Sequence, residues 1–253
     1  MQVKVVTSGC SFTHAPDSWA NWLEQRYELF NVAEGGGGNE MNIRNLMKAI
    51  SNYKPNMAIM QISGIDRFEV VAKGKLEHES DHVVAKENYS WLKSTGNLDW
   101  VNDADSKISK PIKSYMKYNF HNVTQALRTL CSIVALQNYC KVNNVRLKLF
   151  CWQETFTDEY HAGVIKGREE LEFWYNQVDW NQFWFHGQSG GLAEWGIDNN
   201  FTGNLLEDHL NKEPQGWTMI NDKKTMIGHP STECHKAFAD KVVEHWIQDE
   251  EQN

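Results

Sequence analysis

The apolar residues of the chain come in short blocks, and the spacing inside each block predicts its secondary structure. Val3 to Thr7 is a β-branched run that meets Ser8-Gly9-Cys10-Ser11, as a buried strand does where it ends in a tight loop. Trp19, Trp22, Leu23 and Tyr27 then recur at helical spacing. Leu29 to Val32 reads as a second strand, ending in Glu34-Gly35-Gly36-Gly37-Gly38-Asn39. Ile43 to Ile50 reads as a helix closed by Asn52-Tyr53-Lys54-Pro55. Met57 to Ile62 is a third strand that runs out at Ser63-Gly64-Ile65-Asp66-Arg67. Three strand-then-loop units separated by helices predict a parallel sheet.

From about Val70 to Ser114 the pattern is polar and weakly periodic, with no place in that sheet, and it reads as an inserted flap or irregular excursion. Phe120 to Val142 carries Val123, Leu127, Leu130, Ile133 and Val134 on one face, a long amphipathic helix feeding a strand from Arg146 to Trp152. Gln153 to Asn181 is a second insertion, rich in aromatics such as Phe173, Trp174, Tyr175 and Trp180. Phe183 to Phe185 reads as a last short strand, and a final helix from about Thr232 to Ile247 follows Gly228-His229-Pro230-Ser231. With no internal repeat and no low-complexity linker, the expectation is a single domain over residues 1–253, carrying insertions at about 70–114 and 153–181.

At 253 residues and 41% hydrophobic composition the chain can bury a substantial core. The balance of 25 basic against 33 acidic residues, net −8, gives no global field for a phosphate backbone or anionic lipid, so neither nucleic acid nor membrane is expected as a partner. No stretch approaches the roughly 18 apolar residues of a membrane span. The opening MQVKVVTSGCSF lacks the charged and apolar regions of a secretory signal, so a soluble protein made in a cytoplasm is expected. Without such a signal, the glycosylation-type triplets at Asn88, Asn122 and Asn200 carry no weight. Cys10, Cys131, Cys140, Cys151 and Cys234 are scattered and free of CxxC spacing, which argues against a disulfide framework or a zinc site and for a reducing compartment. Glu77, His78, Asp81 and His82 stand at spacings that would hold a divalent ion if that segment were helical. A polar flap accounts for them more simply, and neither metal nor cofactor is expected.

Ligands of open parallel sheets bind at the carboxyl ends of the strands, which selects the loops after the first three strands. Ser11, in Gly9-Cys10-Ser11-Phe12-Thr13, is either a nucleophile with a base nearby or an N-cap or turn serine. Gly35 to Gly38 permit close backbone approach and can present amide hydrogens to a developing oxyanion. A phosphate-binding loop is the competitor, but no Gly-Lys-Ser/Thr follows and the run lies after the wrong strand for a dinucleotide fingerprint. Asn39 and Asn42 are added donors or helix caps. His229 is a general base held in a loop or a structural turn histidine, and His235 reads as a partly buried helix residue. Trp195, in the Gly-rich segment 187–196, and nearby Trp184 either line an acyl or sugar pocket or pack a loop. Eleven Trp, eleven Phe and eight Tyr suit sugar and acyl surfaces, although filling the core explains most aromatics.

Taken in order, these blocks resemble the SGNH hydrolases. Gly9-Cys10-Ser11-Phe12-Thr13 is similar to that family's Gly-Asp-Ser-Leu-type first block, Asn31 through Asn39 to its second, and His229-Pro230-Ser231 to its last. The resemblance covers about a sixth of the chain. It implies a flavodoxin-like three-layer αβα sandwich with a parallel sheet. It also implies Ser11 as nucleophile, the Ser11 backbone N–H with a Gly36 or Gly37 amide as oxyanion donors, and His229 as base. The chain departs from the family at three places. Cys10 stands where the family has Asp. The third block, Gly-x-Asn-Asp, has only Gly64-Ile65-Asp66-Arg67 to match it, so the side-chain amide donor is missing. There Asp66 would repel an oxyanion unless Arg67 neutralises it, and Ser63, Asn39 or Arg67 is left to donate instead. The Asp expected three residues before the histidine is Met226, which leaves a backbone carbonyl or a distant carboxylate such as Asp222 to orient His229.

The function expected from the resemblance is a serine ester hydrolase that removes acetyl or another small acyl group from a carbohydrate through an acyl-enzyme on Ser11. The partner is then an acylated small molecule or glycan. The alternative is a catalytically weakened or inactive glycan-binding or structural protein of the same fold. Similarity to SGNH-like proteins carried by bacteriophages would make that alternative virion-associated. The sequence sets no oligomeric state.

Overall fold

The computed structural model describes residues 3–65, 67–73, 83–85, 89–94, 106–118, 121–201, 217–220, 223–226 and 229–251. Its main sheet has five strands: β1 (Lys4–Ser8), β2 (Glu28–Asn31), β3 (Met57–Ile62), β7 (Arg146–Cys151) and β8 (Phe183–Trp184). They lie in the order β2-β1-β3-β7-β8, and every neighbouring pair is parallel. The chain starts near the middle, fills one edge and then crosses its own start to build the other. This is the flavodoxin-like order, with its switch point between β1 and β3.

Strict alternation along the strands separates the two cores. Val6, Ala58, Met60, Ile62, Leu147 and Leu149 face one side, against Ile43, Leu46 and Ile50 of the helix Asn39–Tyr53 and Leu130 and Ile133 of the helix Asn122–Val142. Val5, Met57, Ile59 and Phe150 face the other side, against Trp19 and Leu23 of the helix Trp19–Glu24 and Phe238, Val243, Trp246 and Ile247 near the chain's end. Both faces are thus covered, which is why β3 is apolar or buried at every position instead of alternating with polar residues. The three-layer sandwich expected from the sequence is the fold observed.

The first insertion is more regular than its polarity predicts. β4 (Phe68–Lys73), β5 (Val83–Ala85) and β6 (Tyr89–Ser94) form a separate antiparallel sheet in the order β4-β6-β5, and the helix Ser106–Tyr118 follows. The expectation of an irregular excursion from about 70 is therefore corrected. The strands of this sheet are short and bury charged Glu69 and Lys93 beside Phe68 and Leu92, so no apolar run marks them in the sequence. The second insertion supplies core. Phe156 and Trp180 have ring centres 5.2 Å apart, Trp180 and Phe183 5.0 Å, and Leu171 and Val178 are buried beside them. The last helix is Thr232–Phe238 and Glu244–Glu251 joined through a π-helical turn, Ala239–Val243. A hairpin of β9 (Trp217–Ile220) and β10 (Lys223–Met226), for which the sequence offered no clear pattern, precedes His229.

Gly191 is where this packing is tightest. A Cβ there would lie 2.1 Å from the Cys151 carbonyl oxygen and 2.9 Å from the Gln153 nitrogen, both backbone atoms at the end of β7. Gly191→Ala is expected to lower stability by about 2 kcal/mol, because the chain has to shift rather than a side chain turn away. A denaturant melt with an unchanged midpoint would show that the loop after β7 yields freely.

Candidate active site

The loop after β1 is built to hold one orientation. A Cβ on Gly9 would meet Thr13 Oγ1 at 2.5 Å and Gln61 Cβ at 3.0 Å, so the chain passes β3 here without a side chain. Thr13 is buried, donating to Gln61 Oε1 at 3.0 Å and accepting from Trp19 Nε1 at 3.2 Å, and its carbonyl accepts from Asn31 Nδ2 at 2.7 Å. These bonds fix the single turn Ser11–His14 and leave Ser11 half-exposed at the carboxyl edge of the sheet. From the other end of the chain, Ser231 caps the last helix, its Oγ accepting from the Cys234 N–H at 3.2 Å, and this sets the position of His229 two residues earlier.

Ser11 and His229, 218 residues apart, meet with Oγ and Nε2 2.7 Å from one another. With its proton on Nδ1, the neutral imidazole accepts the serine hydroxyl proton. The ring is held by stacking. Its centre lies 4.2 Å from that of Phe12, at 26° between planes, and Phe12 stacks in turn on Trp152 at 4.7 Å. Nδ1 has no hydrogen-bond partner among the described residues. Met226 ends β10 three residues upstream, where it pairs with Trp217. Asp222 lies outside the described residues, as do Asp66 and the quartet Glu77, His78, Asp81 and His82. Among the described residues no three His, Cys, Asp or Glu side chains converge as a metal site requires.

Burial, and then the Arg67 guanidinium, lower the pKa of His229 to about 4. The imidazole is therefore neutral at pH 7, the form a general base needs. Behind it His235 is fully buried and lowered to about 3, by burial first and by His229 second. Its Nδ1 accepts from the Trp19 N–H at 3.3 Å, while its Nε2 has no partner. Burial raises the pKa of the Cys10 thiol, but Arg67, the Phe12 N–H, Ser63 and Gln61 together bring it below its ordinary value.

The expected oxyanion donors divide into two groups. The N–H groups of Ser11 and Gly36 are without an acceptor among the described residues. The other three are engaged. The Gly37 N–H donates to the Glu34 carbonyl at 2.9 Å, and the Ser63 N–H to Asn39 Oδ1 at 2.7 Å. Asn39 Nδ2 returns a bond to the Ser63 carbonyl at 3.2 Å, and Ser63 Oγ donates to the Gly37 carbonyl at 3.3 Å. Gly37, Asn39 and Ser63 thus tie the glycine loop to the end of β3: of the two amides expected as alternatives Gly36 rather than Gly37 is free, and the Asn39 and Ser63 donors are spent within the knot, which corrects the expectation of a donor from either. Asn42 belongs to the same knot, with Nδ2 on the Gly37 carbonyl at 3.2 Å. Gly36 has φ +69°, a conformation that suits glycine.

Two residues absent from the sequence reading clamp this loop from the first insertion. Lys93 is buried and donates to Glu34 Oε1 at 2.9 Å and to the Gly35 carbonyl at 2.6 Å. Glu69, also buried, accepts from the Gly38 N–H at 3.0 Å. In the sequence each looks like an ordinary surface charge, and only the distant partner distinguishes it. Phe12 and Trp152 escaped notice for the same reason. Trp184 and Trp195, read as pocket or packing, are packing: both rings lie 5.3 Å from Phe238 in the second core.

No protein-family model matches the chain, and no curated protein does. Among solved structures it is similar to the psychrotrophic esterase EstA from Pseudoalteromonas sp., at 9% identity over 97% of this chain and 98% of that one, TM-score 0.45. A GDSL-like lipase from Bacteroides thetaiotaomicron matches at 9% identity, 97% and 88% coverage and TM-score 0.41. An acetyl xylan esterase matches at 12% identity, 96% and 99% coverage and TM-score 0.38.

Proposed function

We propose that this protein is a serine ester hydrolase of the SGNH type that removes acetyl or another small acyl group, with a carbohydrate ester as substrate. The observation that carries the reading is the 2.7 Å approach of Ser11 Oγ to a neutral His229 at the carboxyl edge of a flavodoxin-like sheet. Ser11 Oγ attacks the ester carbonyl as its proton passes to His229 Nε2, and the oxyanion takes the free Ser11 and Gly36 N–H groups. The imidazolium returns the proton to the leaving alcohol. Water, deprotonated by the same nitrogen, then releases the acid from the acyl-enzyme. The carbohydrate preference rests on family resemblance and aromatic content, which are associational.

Met226 stands where the family has its orienting Asp, and Arg67 disfavours the imidazolium; both would slow the chemical step. The aromatic stack supplies orientation but no counter-charge. Met226 at the position of that Asp favours a second reading, a glycan-binding protein of this fold without turnover. A burst of 4-nitrophenol from 4-nitrophenyl acetate, equal to the enzyme concentration, supports the hydrolase. A rise in melting temperature with acetylated sugar and no burst supports the binding protein.

The pH profile is a separate expectation. The base form of His229 persists down to about pH 4, so kcat/KM is flat from neutral pH to about 5 and half-lost near 4. Assays by pH-jump from a neutral stock read this before acid unfolding intervenes. A limb near the ordinary histidine value of 6.5 would mean that the ring works in water rather than against Phe12.

A further inference from the structure

We propose that Arg67 is a specificity residue which binds a carboxylate carried by the substrate of the Ser11–His229 centre. The inference rests on the esterase reading above and adds the class of ester. Arg67 Nη1 is buried and has no hydrogen-bond partner. A guanidinium does not shed its proton, so the group stays a cation with an unfilled donor wherever it lies. Arg67 follows β3 at the carboxyl edge of the sheet as Ser11 follows the neighbouring parallel strand β1, so both stand on loops at that edge, and its charge is felt by His229.

Nearby carboxylates are committed elsewhere. Glu69 takes the Gly38 N–H and Arg44, Glu40 takes Arg128, and Glu34 takes Lys93. No ion pair to Arg67 exists among the described residues. The backbone that carries it is fixed. The Arg67 N–H donates to the Gly64 carbonyl at 3.2 Å, and its own carbonyl packs so closely on Gly38 that a Cβ there would lie 3.0 Å away. A buried guanidinium N–H without an acceptor among the described residues is costly to the fold, and a planar donor fork matches a carboxylate better than any neutral group. A carboxylate on the ester would pair that charge and seat the carbonyl beside Ser11 at the same time.

Two pairs of esters test this, one with the charge in the alcohol half and one with it in the acyl half. They are 4-acetoxybenzoate against 4-acetoxybenzamide, and 4-nitrophenyl hydrogen adipate against 4-nitrophenyl hexanoate. The wild type is expected to prefer the anionic member of one pair by about 30-fold in kcat/KM, chiefly through KM, and Arg67→Gln to erase that preference, whatever change in kcat the two esters share from removing the charge beside His229. Arg67→Lys should recover part of it. No preference in either pair, or an equal loss on charged and neutral esters in Arg67→Gln, overturns the proposal, the latter by making Arg67 an oxyanion donor. If no ester turns over, the esterase reading fails but the anion site is still read directly. Calorimetric titration of Ser11→Ala with 4-acetoxybenzoate and with methyl hydrogen adipate should show binding of at least one that is lost on adding Arg67→Gln. Absence of binding to Ser11→Ala overturns it. Thermal midpoints of all variants separate these losses from misfolding.

Discussion

Ser11→Ala is expected to abolish covalent labelling by a fluorophosphonate and to lower hydrolysis of an activated acetyl ester by about a thousandfold or more. The size follows from what the substitution removes. Among the described residues the side chain makes one hydrogen bond, to His229, so its loss takes away the attacking atom and little else. The half-exposed site leaves no buried polar group stranded, and the variant should melt with the wild type. His229→Ala should lose labelling to nearly the same extent, since nucleophile and base act as a unit and their losses do not add. Intact-protein mass spectrometry after brief exposure reads both. An adduct that survives in Ser11→Ala would move the nucleophile elsewhere. No adduct on well-folded wild type would favour the glycan-binding reading, with the Ser11–His229 contact an inheritance of the fold.

The parts of this centre that were legible in the sequence are those fixed by local pattern. β3 matches the apolar run Met57 to Ile62 residue for residue, and the strand ends at Ser8 and Asn31 fall within one residue of the expected boundaries. Buried parallel strands show themselves as short apolar runs because both faces are covered. Ser11 and His229 were legible as a pair only through resemblance, since neither motif alone outweighs a cap or a turn. Contacts made across the fold were not legible. Lys93 reaches back 59 residues to Glu34, and Glu69 31 residues to Gly38, and nothing in a charged residue's own neighbourhood marks it as buried. Nor does the sequence say that Gly37, Asn39 and Ser63 spend their hydrogens on one another. A donor near a site is available only if no closer acceptor has claimed it, and that is a property of the packed loop.

Acid should destabilise this protein well above the pH at which its carboxylates titrate. His235 is fully buried and neutral, with a folded pKa of about 3, so the folded state refuses the proton that an unfolded histidine takes up below 6.5. The unfolded state then binds more protons, and stability rises with pH in this window. It is complete above about pH 7 and falls as the pH drops toward the folded value. At pH 5 the loss from His235 is about 2 kcal/mol, and His229, with a folded value of about 4, adds a loss of the same sign and similar size. Glu69 and Glu24, both shifted upward chiefly by burial, act in the opposite sense but only from the ordinary carboxylate range upward to their raised values. Urea unfolding at pH 7 and pH 5 measures the difference. His235→Asn retains an acceptor for the Trp19 N–H and cannot be charged, so its drop between the two pH values should be smaller than the wild type's by about 2 kcal/mol, whatever its stability at pH 7. An equal drop in both proteins would mean that His235 takes up its proton in the folded state, and that the second core admits water beside Trp19.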